Sequence, residues 1–159
     1  MSQEETIQKR LTANFPSLQE KIRVQRARRL FAEVPRESLH DVLGFAVKDM
    51  QFTILCAITG LDEGGSLGAI YHLAREDGVM LNVRTSVPKE QPILQTVTGL
   101  FPAAEAYERE LVDLMGFQVQ GLPEGPRYPL PDDWPPNQFP LRKDWKPEAR
   151  QTTAGAGEV

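Results

Sequence analysis

The chain has one cysteine, Cys56, in 159 residues. A single thiol excludes an internal disulfide and leaves too few ligands for a cysteine-held cluster or zinc site. Cys56 is therefore expected as a small buried hydrophobe. Histidine is nearly as scarce: His40 and His72 fall on different expected elements, without a carboxylate or cysteine at ligand spacing, so structural roles are expected for both. There is no GxGxxG and no GxxxxGK followed by Ser or Thr, hence no dinucleotide or phosphate cradle, and no serine or cysteine sits in a nucleophile turn. Apolar runs of about 18 residues are missing, as is a basic-then-apolar N-terminus, so neither a spanning helix nor a signal peptide is read and a cytoplasmic location is expected. The net charge of -4 gives no general attraction for nucleic acid. Lys21, Arg23, Arg26, Arg28 and Arg29 read as charge guarding a solvated hairpin edge.

Aromatics and prolines, by contrast, crowd into residues 107–145. Both tryptophans, Trp134 and Trp145, lie there with Phe117, Tyr128 and Phe139. Disordered segments are poor in aromatics, so these rings are expected to pack on a surface. Pro123, Pro126, Pro129, Pro131, Pro135, Pro136, Pro140 and Pro147 fix φ and remove donors, which predicts a stiff, extended arm rather than a central strand. Such an arm can cover its own domain or reach another protein. The small body favours partner contact over self-covering.

Ahead of this stretch the pattern is that of one α+β domain. Ser2 and Glu5 have capping-box spacing before Ile7, Leu11 and Phe15, predicting a helix over 2–15. Two short antiparallel strands follow, carrying Ile22 and Val24, then Leu30, Ala32 and Val34. Leu39, Val42, Leu43, Ala46, Val47 and Met50 mark an amphipathic helix after Pro35. Residues 52–59 are apolar on both faces and are expected as a central strand. They open a three-stranded meander through 67–75 and 79–87, with Asp77-Gly78 predicting a type I′ turn. A short helix is expected around Ile93, Leu94 and Val97, and a second over 103–115, stopped by Gly116. The fold class is thus α+β: a small antiparallel or mixed sheet with helices on one face, then the proline-rich arm. The boundaries expected are a body over 1–116, a docking arm over 117–150 and a disordered tail over 151–159.

The one constellation with chemical potential is Glu108, Arg109, Glu110 and Asp113. Paired carboxylates can act as general acid and base. Yet Glu105 to Arg109 and Arg109 to Asp113 are i, i+4 spacings that solvated helices use routinely. The solvated reading outweighs catalysis, and an interface reading lies between them. Two rival functions therefore stand beside an interface role: a small-substrate enzyme using Glu108, Glu110 and Asp113, and an unrelated protein-binding module.

Glu108-Arg109-Glu110, Asp113-Leu114-Met115-Gly116, Gly121, Arg127, Leu130-Pro131-Asp132-Asp133-Trp134 and Pro140-Leu141-Arg142-Lys143-Asp144 follow one another at characteristic spacing. The segment resembles the signature of the thirty-kilodalton subunit of NADH:quinone oxidoreductase (complex I). It is similar also to the related subunits of membrane-bound, energy-converting nickel-iron hydrogenases and formate hydrogenlyases. Upstream, Ile70-Tyr71-His72-Leu73, Val83-Arg84-Thr85-Ser86-Val87-Pro88 and Leu100-Phe101-Pro102-Ala103-Ala104 look like the family's body domain. Leu122-Pro123-Glu124 stands where the family usually has His-Pro-Asp, and Pro126 replaces the first of two usual arginines, which leans to the hydrogenase-related branch.

The resemblance implies a non-catalytic peripheral-arm scaffold with no cofactor of its own, attached to the cytoplasmic side of the membrane through its complex. The implied partners are a large catalytic subunit, bearing the quinone or nickel-iron site, and iron-sulfur subunits; nucleic acid and a direct membrane span are not implied. Glu108, Arg109, Glu110 and Asp113 would orient the start of the arm, and Arg142, Lys143 and Asp144 would anchor its end. Gly121, Arg127, Asp133, Trp134, Leu141 and Trp145 complete the expected interface.

Overall fold

The computed structural model describes residues 1–147, so the expected tail over 151–159 lies outside the described residues. Helix α1 (Gln3–Asn14) starts at the capping box: Ser2 Oγ accepts from Glu5 N at 3.1 Å and the Glu5 carboxylate accepts from Ser2 N at 2.7 Å. Its Ile7 and Leu11 are buried. After a tight turn at Pro16–Leu18, β1 (Ile22–Arg26) and β2 (Arg29–Glu33) form the expected antiparallel hairpin. Helix α2 (Arg36–Lys48) buries the predicted stripe of Leu39, Val42, Leu43 and Ala46. The meander β3 (Ile54–Asp62), β4 (Ser66–Ala74) and β5 (Met80–Pro88) is antiparallel throughout.

β5 then pairs in parallel with β2, closing a five-stranded mixed sheet in the order β1-β2-β5-β4-β3. Leu67, Ala69, Tyr71 and Leu73 of β4 and Leu81, Val83 and Val87 of β5 are buried on one face. The alternate positions Ile70, His72 and Ala74 remain half-exposed. Burying each such leucine contributes roughly 1.5–3 kcal/mol, which places the stability of the body in this face. Helix α3 (Ala104–Met115) packs on β3 at Gly60, where a Cβ would lie 2.9 Å from Leu111 and 3.0 Å from Met115.

Several expectations give way. β3 is not central but the sheet's outer strand, paired only with β4. It is apolar on both sides because the register shifts between Leu55 and Ala57, and this bulge turns Cys56 outward. Cys56 is accordingly exposed, not buried. Asp77-Gly78 forms no type I′ turn: Gly78 N bonds to Arg75 O at 3.0 Å and Gly78 alone has positive φ (81°), a longer loop built on a glycine in the left-handed region.

The helix expected at 93–97 is instead β6 (Ile93–Gln95). It pairs in parallel with β7 (Gln118–Gln120) in a separate two-stranded sheet. The nearby amide of Val97 is taken by a carboxylate from α3, which precludes helical bonding there. Finally, the expected arm does not stand away from the domain. Residues 127–143 return over the C-terminal half of α3 through several polar clasps.

Candidate functional site

Helix α3 positions the charged cluster, and its 100° per residue separates the carboxylates instead of converging them. Glu108 points inward and is 1% exposed. It accepts from Thr96 Oγ1 at 2.6 Å and from Val97 N at 2.7 Å, bracing the turn between β6 and α3. Burial pushes its pKa above the ordinary carboxylate value, while those two hydrogen bonds pull the other way. Asp113 faces a different side. It accepts from Arg127 Nε at 2.9 Å and from Leu130 N at 3.1 Å, and it is buried. Glu110 faces a third side, into a groove between α3 and β3, and makes no ion pair or hydrogen bond among the described residues.

The solvated reading of this helix therefore fails for Glu108 and Asp113. The predicted Glu105–Arg109 pair forms at 2.9 Å, but Arg109 does not reach Asp113; its second contact is Pro123 O at 2.6 Å. Asp113 instead finds Arg127, fourteen residues on.

Gly116 ends α3 in the left-handed region (φ 76°) and donates to Leu111 O and Val112 O. A side chain there would be strained and would strike Arg142 and Phe139 at 2.6 Å. The Arg142 guanidinium fills this space: Nε donates to Met115 O at 2.6 Å, and the head lies 4.6 Å above the Phe139 ring centroid. It thereby satisfies carbonyls that every helix leaves open at its C-terminus, where positive charge is favoured.

The rest of the segment is tied at two further places. Arg127 Nη1 donates to Trp134 O at 3.0 Å, and Trp134 and Trp145 lie with ring centroids 6.0 Å apart. Both indole N–H groups donate to Gln138, Trp134 to its backbone oxygen at 2.9 Å and Trp145 to its side-chain oxygen at 3.2 Å. At the far end Asp62 accepts from Lys89 Nζ, Gly64 N and Lys143 N at 2.8, 2.9 and 2.8 Å. Chiefly the Lys89 hydrogen bond, with the two amides, holds the Asp62 carboxyl far below the ordinary carboxylate range. Lys89 also reaches Asp144 at 3.1 Å.

Of the expected site residues, Glu108, Asp113, Arg127 and Arg142 thus turn toward the chain itself. Asp133, Leu141 and Lys143 are exposed, Trp134 and Trp145 are half-buried, and Gly121 turns the chain after β7 with φ 79°. Sequence reasoning missed Asp62, Lys89 and Thr96. A local signal existed only for Asp62, whose carboxylate receives Gly64 N two residues on, a turn habit of aspartate. Among the described residues no group of three or more His, Cys, Asp or Glu side chains is placed to hold a metal ion.

Known proteins give this geometry its context. A 30 Kd-type component of the F(420)H(2) dehydrogenase of Methanosarcina mazei is 31% identical over 144 residues, covering 89% of this chain and 90% of that protein. The C/D protein of NADH-quinone oxidoreductase from Phocaeicola vulgatus is 34% identical over 71% of this chain, which spans 22% of that longer protein. Among solved structures, a chain of the membrane-bound sulfane sulfur reductase, an archaeal respiratory membrane complex, superposes with a TM-score of 0.81 at 30% identity. It covers 91% of this chain and 86% of its own length. A family model described as respiratory-chain NADH dehydrogenase, 30 Kd subunit, matches residues 32–151. The chain belongs to that family.

Proposed function

We propose that the chain is a non-catalytic scaffold subunit of a membrane-attached electron-transfer oxidoreductase complex, of the NADH:quinone oxidoreductase or energy-converting hydrogenase type. It acts as a body, residues 1–116, carrying a docking segment from 117 onward. The observation that carries this reading is how the signature carboxylates are used. Glu108 and Asp113 are consumed in bracing 96–97 and 127–130, and with Glu110 they face three different sides, so no pair of them shares a substrate. A residue set that fixes the shape of a surface is what a scaffold needs.

The relatives support the same assignment. Their names place them in complexes with different electron donors and acceptors, yet they share this segment of sequence, so the redox chemistry belongs to other chains. A relative whose name joins two subunit letters, C/D, and of which this chain spans 22%, supports a large catalytic subunit as immediate neighbour. Iron-sulfur subunits are assigned as further neighbours by the same resemblance. The described residues contain no helix long and apolar enough to cross a membrane, which fits attachment to the cytoplasmic side through partners.

The test is to purify the full chain alone and from native membranes. Co-purification with a large oxidoreductase subunit, and no turnover by the isolated chain, is the expected result. Turnover by the isolated protein that disappears in Glu110→Gln would sink the scaffold reading in favour of an enzyme.

A further inference from the structure

The two edges of the five-stranded sheet are defended very differently. β1 exposes every residue after Ile22, and those positions include Arg23 and Arg26, with Arg28 and Arg29 at the turn. Charge of this kind prevents another strand from pairing. β3 carries no charge from Ile54 to Leu61. Ile54 at its start is 45% exposed, and Leu141, in the wall of the adjacent groove, is 57% exposed. Every second backbone amide and carbonyl of an antiparallel edge strand faces away from its only neighbour.

The open length is bounded at both ends. The bulge at Cys56 closes one, where Tyr107 Oη donates to Cys56 O at 2.9 Å. The Asp62 clasp closes the other. Between them lies a groove of about 240 Å³ whose walls are Ala57, Thr59 and Gly60 on β3, Leu114 and Met115 on α3, and Leu141. Its one ionisable group near the strand's open edge is Glu110, half-buried and without an ion pair or hydrogen bond among the described residues. A carboxylate in an apolar groove is complemented by a cation on an apolar stem, the chemistry of lysine or arginine.

We infer that the edge of β3 from Ala57 to Leu61 receives an extended segment of a partner subunit, which adds a strand to the sheet and places a lysine or arginine on Glu110 between apolar neighbours. This rests on the scaffold reading above and names the chemistry of its partner. Strand addition supplies affinity through backbone bonds, and the groove supplies selectivity. A second copy of this chain is disfavoured by symmetry: its arginine-bearing β1 would pair head to tail and propagate into an open polymer.

Cys56, exposed at the end of this edge, is a natural reporter because the chain has no other thiol. Maleimide labelling should be at least about tenfold slower in the assembled complex than in the isolated full chain, as steric cover of a reactive group requires. Glu110→Arg should weaken assembly about tenfold or more, while Glu110→Gln should weaken it less. The Glu110→Arg chain alone should melt with the wild type, since the side chain makes no internal bond. Equal labelling in both states, or full assembly of Glu110→Arg, overturns the edge proposal while co-purification with the large subunit keeps the scaffold reading intact. Failure of the wild type to co-purify with any oxidoreductase subunit overturns both. Protection that rises with the concentration of the isolated chain assigns the edge to a second copy and overturns the partner.

Discussion

The body and the segment after β7 are held by opposite means. In the body, apolar side chains carry the energy, with Leu67, Ala69, Leu73, Leu81 and Val83 at 0% exposure under the helices. In residues 121–147 no side chain is classed as buried. The segment is held where charged groups meet backbone: Asp113 on Leu130 N, Arg142 on Met115 O and Asp62 on Lys143 N. Apolar burial is cooperative and tolerates repacking, whereas a clasp of one charge on one backbone group depends on that pair alone. The difference suits a fixed body that presents a shaped, separable surface.

The harshest way to break the comparison is to remove one side of it. Deleting 121–145 should leave a folded body, with sheet and helices intact by circular dichroism, that no longer joins its complex on co-purification. Retained assembly would show that the segment is not the docking element. Next in size is Glu108, the polar group on which the body most depends. Glu108→Ala strands Val97 N and the Thr96 hydroxyl in an apolar interior, a loss of roughly 2–3 kcal/mol. Thermal melting should fall by several degrees, and Glu108→Gln, which keeps an acceptor, should recover most of it.

How far the sequence revealed this follows the same division. The capping box at Ser2 and Glu5 and the stripe of α2 were legible because each depends on neighbours within one or two turns. The edge position of β3 was not, because apolar residues on both faces resemble a central strand until the bulge at Cys56 is known. β6 was misread because its partner β7 lies beyond α3, and parallel pairing leaves no local signature. In the charged helix the i, i+4 rule named Arg109 for Asp113, but that rule sees only one helix. The actual partner Arg127 is brought back by the chain after Gly121. The order of the signature residues was therefore visible, while the inward direction of Glu108, Asp113 and Arg142 required the fold.

Smaller effects sharpen the contrast within the segment. Asp113→Asn weakens its bond to Arg127 and should loosen 121–147 by about 1–2 kcal/mol without unfolding the body. Limited proteolysis should therefore cut within the segment faster, while the melting temperature moves little. Arg142→Lys keeps the charge but loses the planar fork on Met115 O and the stacking on Phe139, worth about 1 kcal/mol. A fall in body stability as large as that of Glu108→Ala would show that the two regions are one cooperative unit.

Acid separates the regions most gently, because their carboxylates are shifted in opposite senses. Glu108 in the body has a folded pKa raised above its ordinary 4.5 by burial. Its contribution is therefore greatest below 4.5 and declines as pH rises through the folded value. Asp62 in the clasp is depressed below its ordinary 3.8, chiefly by Lys89. Its contribution is complete above 3.8 and is lost as pH falls toward the folded value. Acidification below 3.8 thus removes a clasp from the segment while Glu108, protonated, no longer opposes burial in the body. The two tryptophans, Trp134 and Trp145, both lie in the segment, so their fluorescence reports it selectively. Titration should show a fluorescence change at higher pH than the loss of far-ultraviolet circular dichroism. In Asp62→Asn the early fluorescence step should be absent because the clasp no longer titrates, and coincidence of the two signals in the wild type would refute separate release of the segment.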